Sequence, residues 1–124
     1  MRTASMHLER RRHRRAPLGV PALLELGRLW QRVLAAEISP GGVRVCGPRL
    51  PLAQGQLVEL YLELPTCVAL EARAEVLRSD SSGASLRFVG LGPEQRVAIR
   101  RYCDLQAQGR AGRWAPDPLY TSVA

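Results

Sequence analysis

Between residues 58 and 88 hydrophobic and polar side chains alternate with few breaks, the period-two signature of strands that bury one face and wet the other. Val58, Leu60, Leu62 and Leu64 share one face, while Glu59, Tyr61 and Glu63 take the opposite one. Val68, Leu70, Ala72, Ala74 and Val76 then alternate with Glu71, Arg73 and Glu75, and Ala84, Leu86 and Phe88 with Ser85 and Arg87. The interruptions fall at turn-forming residues: Pro65-Thr66, and Asp80-Ser81-Ser82-Gly83, which predicts a hairpin. Upstream, Val20 to Leu26 and Leu29 to Ala36 read as strands joined by a tight turn at Gly27-Arg28. Gly42 to Cys46 reads as a short third, followed by a connection from Gly47-Pro48 through Gly55. In the second of these strands two phases compete for the buried face: Leu29, Val33 and Ala35, or Trp30, Leu34 and Ala36.

After Gly92 the period changes. Pro93 followed by Glu94 and Gln95 suits the first turn of a helix, and Ala98, Ile99, Tyr102 and Cys103 form one apolar stripe with Leu105 near its edge. Six short strands and one helix predict an all-β fold with a C-terminal helix. The arrangement expected is a six-stranded antiparallel β-barrel, because closure removes exposed edges and a helix can cover one open end. Residues 1–15 read as a flexible arginine-rich arm, 16–106 as the barrel with its helix, and 107–124, rich in Pro, Gly and Arg, as a mobile tail.

The length of 124 residues and 46% hydrophobic content suit one globular domain. Charge is unevenly distributed: the first fifteen residues hold six Arg against one Glu, and the rest hold twelve Arg against ten acids. None of the eighteen basic residues is Lys, which at this Leu- and Ala-rich composition points to coding bias. The clustering of Arg10, Arg11, Arg12, Arg14 and Arg15 is independent of that bias, and clustered guanidinium forks suit planar, anionic partners.

Cys46, Cys67 and Cys103 are isolated, so they support neither a disulfide framework nor a metal site, and they read as reduced, mostly core-filling thiols of a cytoplasmic protein. Charges interrupt every long apolar stretch and no leader pattern follows the basic N-terminus, so neither membrane insertion nor a signal peptide is expected. His7 and His13 lie in the arm without partners at catalytic spacing, and Ser39 has neither a neighbouring His nor an acid. The chain is therefore read as a non-enzyme with no catalytic residues.

Three segments together resemble the PilZ domain family. Arg11-Arg12-His13-Arg14-Arg15-Ala16-Pro17-Leu18 contains an RxxxR pair, Ser39 and Gly42 supply most of a [D/N]-x-S-x-x-G turn, and Leu86-Arg87-Phe88-Val89-Gly90-Leu91-Gly92-Pro93-Glu94-Gln95 is similar to the family's last strand and helix entry. Arg10 with Arg14 also satisfies RxxxR, but Arg11 with Arg15 puts Ala16-Pro17-Leu18 in the usual register. The resemblance covers roughly residues 9–106 and implies a non-enzymatic receptor for cyclic di-GMP on a six-stranded barrel. It assigns Arg11 and Arg15 to phosphates and the guanine N7 and O6 edge, Ser39 to a donor role, and Gly42 to the close approach of backbone and ligand. Arg10, just before the pair, is associated in the family with two stacked ligand molecules rather than one. Glu37 departs from the family's Asp or Asn, keeping the carboxylate but placing it one methylene further out.

Two rivals remain. In the first, Glu37 marks a degenerate site and the protein is an adaptor working by protein contacts, for example in motility. The second is a small basic barrel that binds nucleic acid, which a pI near 10.6 allows. Against the second, basic residues are gathered in one arm, and aromatics at 5% are too few for a stacking platform. In both the ligand-binding and the adaptor reading, output comes from an unidentified effector protein.

Overall fold

The computed structural model describes residues 15–47 and 50–111. Its strands are β1 (Ala16–Leu26), β2 (Leu29–Ser39), β3 (Gly42–Cys46), β4 (Leu57–Glu63), β5 (Ala69–Asp80) and β6 (Gly83–Gly90), followed by helix α1 (Pro93–Ala111). Neighbours run β1-β2-β3-β6-β5-β4, all antiparallel, and β4 returns to β1 through Ala22↔Leu62 to Glu25↔Glu59, closing the sheet. This is the six-stranded barrel with a C-terminal helix that the alternation predicts.

The inward positions are those of the sequence pattern. Leu24, Ile38, Leu60, Leu64, Leu70, Val45 and Val76 are fully buried, and among the described residues no polar or charged side chain is buried with them. In β2 the phase of Val33 and Ala35 faces inward, while Trp30 and Leu34 stay exposed and Trp30 packs on Tyr61 of β4 at 4.9 Å between ring centroids. A register shift between Ala35 and Glu37 then inserts Ala36, so that Ile38 rather than residue 37 enters the core. One extra residue in a strand reverses which side the following residues face.

Several boundaries differ from the sequence reading, and β2 runs past Ala36 to Ser39. β1 begins at Ala16 rather than Val20, because a bulge between Pro17 and Val20, with Gly19 at φ +64°, carries the pairing through residues that resemble strand breakers. β5 continues past Val76 to Asp80 across a further bulge at Leu77. The helix continues to Ala111, so residues 107–111 of the expected tail belong to its last turns, while 112–124 lie outside the described residues. Of the three cysteines expected to be mostly core-filling, only Cys103 is buried; Cys67 is exposed in a turn at φ +69°.

Helix α1 packs against β1 and β2. Its expected stripe is the face that docks, with Ile99, Tyr102 and Cys103 buried and Leu105 exposed at the margin. Two polar contacts fix the docking: the Tyr102 hydroxyl donates to the Pro17 carbonyl at 2.6 Å, and the Cys103 thiol lies 3.5 Å from the Ile38 carbonyl. Burial, with a smaller contribution from Cys103, holds the Tyr102 phenol above its usual pKa, which keeps it a donor.

Tyr102→Phe keeps the ring and removes the bond to Pro17. The variant should lose about 1 kcal/mol of stability, the scale of one partly buried hydrogen bond, seen as a lower denaturation midpoint at unchanged m-value.

Candidate ligand-binding site

The turn between β2 and β3 is shaped by its own side chain. The Ser39 hydroxyl accepts a hydrogen bond from the Gly41 amide at 3.2 Å, a Ser turn that leaves the hydroxyl proton to donate elsewhere. Gly42 pairs with Ser39 across the turn and with Arg87 of β6. A Cβ at Gly42 would stand 2.2 Å from the Leu86 carbonyl oxygen. The side-chain space expected to be kept clear for a ligand is therefore taken by the backbone of β6, and the glycine is required first by strand packing.

Around this turn lies an open cleft of about 520 Å³, to which β2, β3, β5 and β6 contribute. Arg15, Arg44, Arg78 and Arg87 line it together with Glu37 and Asp80. Glu37 reaches it because the bulge at Ala36 turns it outward, opposite Arg44 in the register. Its carboxylate lies 3.8 Å from Arg15, with the two side chains 49% and 80% exposed. A pair so wet contributes little stability and opens easily.

Arg44 is held more firmly. Its guanidinium donates to Ser85 at 3.2 Å, to Ser82 at 2.9 Å and to Asp80 at 3.5 Å. Asp80 in turn accepts from the Ser82 hydroxyl at 2.7 Å and from the amides of Ser82 and Gly83. These Ser82 hydrogen bonds, with help from Arg44 and the Gly83 amide, lower the Asp80 pKa to about 2. Arg87 is paired with Glu75 on the neighbouring strand. The bulge at Leu77 leaves that side chain 45% exposed in the same cleft beside Arg78, an apolar patch among guanidiniums.

Of the residues expected in a site, Arg15, Glu37, Ser39 and Gly42 come together in this cleft, while Arg10 and Arg11 lie outside the described residues. Arg44, Arg78 and Arg87 were not singled out from the sequence. Strand alternation places Arg44 and Arg87 on the outward face shared with Gly42, so a signal for both existed. Arg78 follows a bulge, and no local period foretells its position. Guanidinium forks suit phosphate oxygens, carboxylates accept the N–H donors of a base, and an exposed leucine offers contact to a base face.

Comparison with known proteins decides the family. Residues 9–105 match the PilZ domain. The chain belongs to the PilZ domain family. The Bacillus subtilis inhibitor of motility (MotI/DgrA) superposes on this PilZ barrel with a TM-score of 0.72 at 22% identity, over 80% of this chain and 52% of that one. The PilZ domain of Escherichia coli YcgR with cyclic di-GMP gives 0.67 at 15%, over 86% and 97% of the two chains. Borreliella burgdorferi PlzA in complex with cyclic di-GMP gives 0.56 at 13%, over 82% and 45%. The chain thus spans about half of MotI and almost the whole YcgR PilZ domain, and at these identities the likeness is one of fold. No curated protein sequence matches the chain.

The Asp80 network has a definite pH dependence. Its carboxyl pKa is lowered from 3.8 to about 2, so its contribution to stability is complete above the unfolded value and is lost as pH falls through the folded one. Acid titration of stability should show a steeper decrease across that window in the wild type than in Asp80→Asn, and identical curves would exclude the network as its source.

Proposed function

We propose that this PilZ domain is a cyclic di-GMP receptor that signals to an effector protein, with the arm and the Glu37 to Gly42 turn as the two halves of the site. The observation that carries the reading is the convergence of Arg15, Glu37 and Ser39 on one cleft at the root of the arm. Arg11 and Arg15 would hold phosphate oxygens and the guanine N7 and O6 edge, Glu37 would accept from guanine N–H groups, and the Ser39 hydroxyl would donate. Arg44, already oriented by Ser82, Ser85 and Asp80, would add a fixed cation at little further entropic cost. The YcgR domain and PlzA, both solved with cyclic di-GMP, share this fold and so support the ligand class.

The ligand would act by bridging the arm to the barrel, presenting a surface that a partner reads. Pro17, two residues beyond Arg15, carries the carbonyl held by Tyr102, so a change in the arm has a direct path to α1. Signalling would take place in the cytoplasm by binding, without catalysis. Control of motility is one candidate process, in keeping with the fold shared with MotI.

A second reading starts from the departure at Glu37. Glu37 stands where the family has Asp or Asn and lies 3.8 Å from Arg15, and if that departure leaves the site degenerate the domain is an adaptor that acts by protein contacts without the ligand.

Calorimetric titration tests the receptor reading. The wild type should bind cyclic di-GMP, with two molecules per chain if Arg10 serves the stacked pair, and a 1:1 end point at saturating ligand would remove that role from Arg10. Arg11→Ala and Arg15→Ala should each weaken binding about tenfold or more, the scale of a charge-assisted hydrogen bond, with unfolding unchanged. Equal affinity in both variants would remove the arm from the site.

Glu37→Asp should tighten binding about tenfold by shortening the reach to guanine and weakening the hold on Arg15. If the wild type does not bind and Glu37→Asp does, Glu37 is the lesion; if neither binds, the adaptor reading stands.

A further inference from the structure

Arg87 separates the cleft from a second concavity. The end of β6, the β2–β3 turn and the first two turns of α1 enclose a groove of about 550 Å³, with Phe88, Val89 and Leu91 among its lining and Arg87, Arg96 and Arg100 around it. Among the described residues no carboxylate lines this groove, and neither Arg96 nor Arg100 has an ion-pair partner.

The helix gives Arg96 an unfavourable place. Arg96 is where helical hydrogen bonding begins, its amide donating to the Gly92 carbonyl at 3.0 Å, and a cation there faces the positive end of the helix dipole. Arg96 and Arg100 stand one turn apart on the same side of α1, about 6 Å along its axis. Val89, 42% exposed, remains wet at the end of a strand whose inward neighbours are buried.

We infer that this groove docks an acidic, amphipathic segment of a partner protein, with carboxylates on Arg96 and Arg100 and aliphatic side chains against Val89 and Leu91. The inference rests on the reading that the domain acts through an effector. Charge complementarity selects the acid, and the aliphatic lining selects a peptide over a nucleic acid, which would require aromatic faces where the described residues offer the half-buried Phe88 alone. Arg87 lines both concavities and is held by Glu75, so an anion in the cleft that draws Arg87 away changes the wall of the groove. That shared residue is a physical route from ligand to partner.

The probe is a fluorescent helical peptide carrying Glu at i and i+4 with Leu on the adjoining positions, titrated by anisotropy into the full chain without cyclic di-GMP. The wild type should bind it. The Arg96→Glu/Arg100→Glu double variant, checked for unchanged circular dichroism, should bind at least about tenfold more weakly, and a peptide with Ser in place of Leu should also bind more weakly. Absence of wild-type binding, or equal binding by the double variant or by the Ser peptide, overturns the proposal. A weakened cyclic di-GMP isotherm in the double variant would instead make the groove a dinucleotide subsite. Stronger competition by single-stranded DNA than by unlabelled peptide would make it a nucleic-acid surface. Because the peptide titration contains no cyclic di-GMP, its result stands whether or not the chain proves to bind that ligand.

Discussion

The seam between β3 and β6 is the constraint on which the barrel depends. These strands are not consecutive, and the pairing of Gly42 with Arg87 through Cys46 with Gly83 joins the two halves of the sheet. Each end of the seam is a glycine. A Cβ at Gly42 would meet the Leu86 carbonyl oxygen at 2.2 Å, and one at Gly83 would meet the Val45 carbonyl oxygen at 2.1 Å. Backbone approaches this close exclude any side chain, and Gly83 at φ +155° also occupies a conformation that other residues rarely adopt. The cleft opens at this seam, with the Ser39 turn at one end and the Asp80 hairpin at the other, so closure of the barrel and assembly of the site share one geometry.

Strand irregularities place the chemistry on that frame. The extra residue in β2 turns Glu37 outward toward Arg44, and the one in β5 puts Leu77 and Arg78 into the cleft. Firm and loose electrostatics are divided between the two ends. Arg44 and Asp80 are fixed by several hydrogen bonds, whereas Arg15 and Glu37 meet at 3.8 Å in water. A loose pair at the root of the arm can be exchanged for ligand contacts at small cost, while the rigid end keeps a guanidinium in position.

Helix α1 connects these features. Its buried face holds the Pro17 carbonyl through Tyr102 and approaches the Ile38 carbonyl through Cys103, and these positions lie beside Arg15 and Glu37. Beside that face Arg96 and Arg100 line the second groove. One rigid element thus touches the strands that bear the proposed ligand residues and forms a wall of the proposed partner surface.

Much of this was legible in the chain. Alternation is a local property, so inward residues such as Val58, Leu60, Leu70 and Val76 could be read directly, as could the change of period that begins α1 and the stripe that docks it. The Ser39 and Gly42 spacing and the arginine cluster likewise pointed to the family. What no local pattern held was any feature that depends on a partner strand. The bulges at Gly19, Ala36 and Leu77 arise from register with neighbours, and they decided where β1 begins, that Ile38 rather than Glu37 enters the core and that Arg78 lines the cleft. The requirement for Gly42 came from a carbonyl forty-four residues away, and the Tyr102 contact to Pro17 spans eighty-five. Sequence alone determined the period of each element, because that period is set by neighbouring residues. Tertiary structure decided register, close approach and the meeting of Arg15, Glu37 and Arg44, because these are set by residues that only folding brings together.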